Sequence, residues 1–186
     1  MVGSRRAARV ALAAVVSASP CLVACGGAAG STGGAETAAS TSGATPPDFE
    51  LEALDGESVR LADHLGKEVV LIDFWATFCE PCLASMPHLD ELYRKYKGHG
   101  FAVFGVSIDG PESVAQVRSV VGKLGVTFPI LLDQETRVVA LYNPKTSAPY
   151  SVLIGKDGRI RAKREGYSTG NAAALEADIV AALGGS

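Results

Sequence analysis

The sequence predicts an α/β domain, a central mixed β-sheet with helices on both faces. Three observations carry that expectation. Val69–Ala76 and Phe101–Ile108 are nearly continuous apolar runs rich in β-branched and aromatic residues, the pattern of buried strands. Apolar residues recur at helical spacing after each of them. Alternating segments broken by Asp55-Gly56 and by Asp157-Gly158 read as hairpins near the two ends. The chain has 186 residues, 47% hydrophobic and 20% charged, which suits one domain with appendages. Its net charge of −3 supplies no basic stripe for nucleic acid.

Residues 1–24 do not read as part of that domain. Arg5, Arg6 and Arg9 precede an apolar stretch, Val10–Val16, and small residues follow near Ala24. This is the pattern of a signal peptide. Its removal deletes three arginines and no acid, taking the formal charge from −3 to −6. Val10–Ala24 spans 15 residues and contains Pro20. A membrane-crossing helix needs roughly 20. The pair Arg5-Arg6 is followed by Ala7 and Ala8, a weak Tat pattern. Leu22-Val23-Ala24-Cys25-Gly26 resembles a bacterial lipobox. The resemblance implies cleavage before Cys25, lipidation of that residue and attachment to a membrane of the cell envelope, on its extracytoplasmic (periplasmic) side. The alternative makes Cys25 a small apolar residue beside an ordinary cleavage site. Cys21 falls in the removed segment. From Cys25 to Pro46 the chain is almost entirely Gly, Ala, Ser and Thr, with Glu36 its one charge. Such a composition predicts a flexible tether, with a reach of roughly 25 Å.

The domain is expected over residues 47–186. Phe49–Leu54 and Val59–Leu61 form the first hairpin, and Val69–Ala76 the central strand. Cys82, Met86, Leu89, Leu92, Tyr93 and Tyr96 lie at helical spacing, and Pro87 should kink that helix. Phe101–Ile108 is the next strand. Val114, Val117, Val120, Val121 and Leu124 mark a helix around Glu112–Leu124. Phe128–Leu132 is a short apolar run and Thr136–Leu141 a short helix. Tyr150–Ile154 and Arg159–Ala162 make the second hairpin, and Asn171 or a neighbour caps a last helix over Ala172–Leu183. That order implies a mixed sheet with helices on both faces. There is no internal repeat.

The chemistry concentrates in Phe74-Trp75-Ala76-Thr77-Phe78-Cys79-Glu80-Pro81-Cys82. The chain has four cysteines, and only Cys79 and Cys82 fall within the domain. A bridge across so short a loop removes little chain entropy, so a structural crosslink is a poor reason for the pair. A zinc site normally takes four ligands; no second cysteine pair exists, and His64, His88 and His99 lack metal-ligand spacing. No metal is therefore expected. In an oxidising compartment, thiol–disulfide exchange is what remains. Cys79 follows a strand and opens a helix, where free N–H groups and the positive dipole end favour a thiolate. Cys79 is thus the expected attacker and Cys82 the residue that resolves the mixed disulfide.

Over roughly Pro47–Leu183 the chain resembles the thioredoxin superfamily, and within it the TlpA-like membrane-anchored thiol–disulfide oxidoreductases. Ile72–Cys82 and Pro87 carry that resemblance, with Ala148-Pro149-Tyr150 at the family's cis-proline position. It implies a thioredoxin-like fold with an added N-terminal β-hairpin, acting as a monomer. It also implies reduction of disulfides in exported proteins, for example in cytochrome c maturation, with electrons from a membrane thiol reductase. No cofactor is implied beyond the Cys79–Cys82 dithiol. Asp73 matches the buried acid of thioredoxin, which would take the proton of Cys82; the alternative is a strand-end carboxylate reaching water. Glu80 would either tune the dithiol by its charge or simply be surface. Pro149 would be cis beside the dithiol, or else an ordinary trans loop proline. Trp75, Phe78, Pro81, Ala148 and Tyr150 are the expected substrate-facing residues.

The chain departs from the family pattern in two places. Phe78 stands where many relatives have Trp, and Ala148 with Tyr150-Ser151 stand where TlpA-like proteins often carry a β-branched residue and two threonines. Two other functions compete. A peroxiredoxin-like thiol peroxidase shares Pro47-Asp48-Phe49 and Val106-Ser107-Ile108-Asp109, but needs a Thr where this chain has Ala76. A non-catalytic Sco-like copper carrier uses a cysteine pair spaced one residue wider.

Overall fold

The structure, a computed structural model, describes residues 43–184. The expected signal peptide, Cys25 and the tether up to residue 42 lie outside the described residues. Seven strands and four helices follow in the order β1 (Glu50–Glu52), β2 (Ser58–Arg60), β3 (Val69–Trp75), α1 (Glu80–Tyr96), β4 (Phe101–Ser107), α2 (Val114–Leu124), β5 (Ile130–Leu132), α3 (Arg137–Tyr142), β6 (Tyr150–Ile154), β7 (Ile160–Glu165) and α4 (Thr169–Gly184). No helix among the described residues is long and apolar enough to cross a membrane.

Five strands form one sheet in the order β5-β4-β3-β6-β7. β3 runs parallel to β4 and antiparallel to β6, so the sheet is mixed. β3 and β4 are buried along their whole lengths because both faces of the sheet are covered. Side-chain alternation divides β3 between two cores. Val69, Leu71 and Trp75 pack with Met86, Leu89 and Leu92 of α1, Val117 of α2 and Ile179 of α4. Val70, Ile72 and Phe74 pack with Val138, Val139 and Tyr142 of α3 and with Phe49 and Leu61 from the N-terminal hairpin.

That hairpin, β1 with β2, stays outside the central sheet. It docks on the β5 edge, where Ala53 bridges to Leu131 and the Leu54 N–H donates to the Ile130 carbonyl at 2.8 Å. At the opposite edge the Gly43 N–H donates to the Ile160 carbonyl at 2.8 Å, and the Ile160 N–H donates to that of Ala44 at 2.9 Å. These contacts occupy backbone groups that an edge strand leaves unpaired. They also show domain contacts reaching back to Gly43, within the segment expected to be tether.

The helix start expected at Cys79 is observed, and that of the last helix differs from expectation. α1 begins at Glu80, with Cys79 as its cap, and continues through Pro87. α4 begins at Thr169, so Asn171 lies in its first turn and does not cap it.

Gly105 of β4 lies opposite Asp73 of β3. A Cβ on Gly105 would meet the Phe128 ring at 2.7 Å and Ile130 at 2.8 Å. This row of the sheet therefore closes on the β4 side with apolar groups in contact with backbone. Gly105→Val should destabilise the fold by about 1–3 kcal/mol through overpacking, read by urea denaturation; unchanged stability would contradict this packing.

Candidate active site: a dithiol at a helix start above a buried carboxylate

β3 ends at Trp75, and the chain turns through Ala76-Thr77-Phe78 into α1. Cys79 is the N-cap with extended backbone, and its sulfur accepts the Cys82 N–H at 3.3 Å. Pro81 sits in the first turn of the helix, where a missing N–H costs nothing. Cys79 and Cys82 are joined as a disulfide with Cα atoms 5.3 Å apart. Their environments differ in accessibility: Cys79 is 8% exposed and Cys82 fully buried. Phe78, next to Cys79, is 78% exposed. An incoming sulfur can therefore reach Cys79 past an apolar side chain, while Cys82 is reached only from within.

The turn before Cys79 is braced by a residue that sequence reasoning did not assign to the site. Asp109 accepts hydrogen bonds from the Thr77 N–H at 3.0 Å, the Thr77 hydroxyl at 2.6 Å and the Ser107 hydroxyl at 2.8 Å. The Ile108 N–H donates to the Trp75 carbonyl at 2.9 Å. The end of β4 thus fixes the loop that presents the nucleophile. The signal for it was a Ser and an Asp immediately after an apolar strand, in Ser107-Ile108-Asp109.

Asp73 lies on β3 on the α1 side of the sheet and is 5% exposed. One of its carboxylate oxygens, Oδ2, is buried without a hydrogen-bond partner among the described residues. Burial raises its pKa from 3.8 to about 7, because no nearby charge compensates the ionised form. It lines a small cavity together with Ser85, whose hydroxyl donates to the Cys82 carbonyl at 2.7 Å. The Ala148–Pro149 peptide is cis, and Pro149 lines the same cavity.

The other expected residues are placed as follows. Glu80 and Pro81 are exposed in the first turn of α1, and Ala148 and Tyr150 are half-buried. The Tyr150 ring packs against Phe74 on the α3 side of the sheet, and its hydroxyl donates to the Tyr142 carbonyl at 3.2 Å. Trp75 is a correction: expected to face substrate, it is fully buried. Its place in β3 points it with Leu71 into the core under α1. Among the described residues no group of three or more His, Cys, Asp or Glu is arranged to hold a metal.

A mixed sheet of this order, with an N-cap cysteine bridged to a buried one and a cis proline nearby, defines a thiol–disulfide oxidoreductase of thioredoxin fold. The chain belongs to the AhpC/TSA family, whose model matches residues 42–163. Its curated relatives include the thiol-disulfide oxidoreductase ResA of Geobacillus kaustophilus, 39% identical over 119 residues, or 64% of this chain and 66% of the relative. ResA of Bacillus cereus is 35% identical over 127 residues, or 68% of this chain and 71% of the relative. Among solved structures, one from Chlorobium tepidum, provisionally described as a thiol:disulfide interchange protein DsbE, aligns with a TM-score of 0.71 at 34% identity. It covers 77% of this chain and 98% of that one. The thioredoxin domain of a thiol-disulfide oxidoreductase from Bacteroides vulgatus aligns with a TM-score of 0.63 at 26% identity, covering 74% of this chain and 97% of that one.

The buried carboxylate makes a stability prediction. Its folded-state pKa is raised, so the unfolded state ionises first as pH rises. The wild-type fold should lose stability from about pH 4 upward and level off above about pH 7, by as much as about 4 kcal/mol. Asp73→Asn removes that loss, so its advantage over wild type should grow between pH 4 and pH 7 in urea denaturation of the oxidised protein. A difference independent of pH would contradict the burial of an ionisable Asp73.

Proposed function

We propose that this protein is a lipid-anchored, extracytoplasmic reductase of disulfides in exported proteins, including the clients of cytochrome c maturation. The difference in access between Cys79 and Cys82 carries this reading, because it gives the two sulfurs separate roles. Cys79 thiolate attacks a client disulfide, forming a mixed disulfide and releasing one client sulfur as a thiolate, which takes up a proton. Cys82 then gives its proton to the Asp73 carboxylate and attacks the Cys79 sulfur. The Cys79–Cys82 bond forms and the second client sulfur leaves and is protonated. The client gains two electrons, and a membrane thiol reductase returns two to the protein.

The remaining roles follow from position. Phe78 supplies an exposed apolar contact beside the attacking sulfur, with Pro81, Ala148 and Pro149 completing the face that a client covers. Glu80 places a negative charge next to Cys79, which opposes thiolate formation and favours a reducing dithiol. The anchor rests on the Cys25 lipobox, and two acyl chains there would hold the protein stably at a membrane. The dithiol is the one redox group in the proposal, the working unit is a monomer, and no nucleic acid is involved.

The motifs shared with peroxiredoxin-like thiol peroxidases, Pro47-Asp48-Phe49 and Val106-Ser107-Ile108-Asp109, raise a second reading. Position 76, where a peroxidase needs a Thr, is a buried Ala packed in the core under α1. This favours exchange over peroxide reduction.

Insulin reduction with dithiothreitol as electron source tests the assignment. Cys79→Ser should fall to the uncatalysed rate and form no adduct. Cys82→Ala should turn over no better but accumulate a covalent mixed disulfide with insulin, visible on a non-reducing gel. A Cys79→Ser protein as fast as wild type would sink the proposal, as would rapid peroxide turnover through a Cys79 sulfenic acid.

A further inference from the structure

Antiparallel pairing places Ser151 of β6 opposite Asp73, and Arg164 of β7 opposite Ser151. With Gly105 of β4 the four make one row across the sheet, all on the α1 and α4 side. The row is asymmetric. On the β4 side Phe128 and Ile130 crowd against Gly105. Toward β6 and β7 the row carries Ser151 and Arg164, and there a cavity of about 20 Å³ lies, its wall mostly apolar with Leu89 and Leu175, into which Asp73, Ser85, Ser151 and, at the rim, Tyr167 and Asn171 bring polar groups. That volume holds about one water, which needs two or more polar partners to be stable. Asp73 Oδ2 has no hydrogen-bond partner among the described residues, and Ser151 and Ser85 line the same space. Neither cysteine lines it.

We propose that this cavity holds a water between Asp73 and Ser151, and that this water is the outlet through which the Asp73 proton reaches solvent at the rim formed by Tyr167 and Asn171. The proposal rests on the reading of Asp73 as the proton acceptor of Cys82, and adds where the proton goes next. Cys79 and Cys82 offer no exit in the mixed disulfide, since Cys82 is fully buried and the client covers Cys79. Asp73–COOH gives its proton to that water, which passes a proton on to bulk solvent at the rim and restores the carboxylate for another turnover.

The groups around the carboxylate suit that task. α1 contributes Cys82 and Ser85, β4 only Gly105, β6 Ser151 and β7 Arg164. Tyr167 comes from the loop after β7 and Asn171 from α4. Arg164 is paired with Asp178 of α4, so its charge is engaged there and Asp73 has no ionic partner among the described residues. Ser151 is therefore a positioning residue: it holds the water that solvates the ionised Asp73. Asn171, exposed in the first turn of α4, is at the mouth.

A chromogenic nitrobenzoate disulfide tests this with the reduced protein. Attack by Cys79 releases one coloured thiolate, and attack by Cys82 on the mixed disulfide releases a second. In wild type the second release should accelerate with pH as Asp73 ionises. Ser151→Val fills the cavity, and Asn171→Phe closes its mouth from an exposed position in the first turn of α4. Both should leave the first release unchanged and move the midpoint of the second upward by about one pH unit, slowing it about fivefold at pH 7. Wild-type profiles in both variants would overturn the outlet. Asp73→Asn separates the two levels. If it too keeps the wild-type profile, the acceptor reading fails; if it alone loses that profile, only the outlet fails.

Discussion

The site depends on one junction, the change from β3 to α1 at Cys79. A strand that ends beside free helix N–H groups delivers a sulfur to the place where a negative charge is best stabilised. The Cys82 N–H directed at Cys79 Sγ is that interaction in atomic form. The same bond fixes the spacing of the pair. With Cys79 as the N-cap, Cys82 completes the first turn and is carried into the core with Met86 and Leu89. One backbone event thus makes one cysteine reachable and the other enclosed. Asp109 holds that event in place from β4 through Thr77.

Beneath the junction the fold carries a cost. An unpaired carboxylate inside a sheet core weakens the fold at neutral pH, and an apolar residue at position 73 would avoid that. The cost is intelligible if the group must hold a proton during one step and give it up afterward. Its surroundings are built to match, apolar on the Gly105 side and polar on the Ser151 side. Arg164 could have neutralised Asp73 but is engaged by Asp178, leaving Asp73 near neutrality, where a proton acceptor works best.

Much of this was legible in the sequence, and the misses have physical causes. The two long apolar strands and helices α1, α2 and α3 were read within one or two residues of their observed bounds, because both faces of the sheet are buried and the helical stripes are clear. Trp75 was placed on the wrong side, although the parity of β3 groups it with Leu71 and Trp75 therefore points under α1. Asn171 or a neighbour was expected as the cap because the residues from Thr169 extend the helix without an apolar stripe to show it. Ser151 could not be recognised from sequence. Its role comes from the register of β6 on β3, a long-range pairing that no local pattern encodes. The contacts of Gly43 and Ala44 with β7 were hidden for a similar reason, since edge hydrogen bonds use backbone and leave no mark on composition.

In the proposed function, Glu80 beside Cys79 and the buried acid below the pair both disfavour the reduced, ionised dithiol relative to the disulfide. The sulfurs are thereby poised to give electrons up. The midpoint potential of the Cys79–Cys82 couple, measured by equilibration in defined thiol–disulfide buffers at pH 7, tests that account most directly. A value below about −220 mV is the predicted result for a reductant, and a value near −120 mV, that of a strong oxidant, would contradict it.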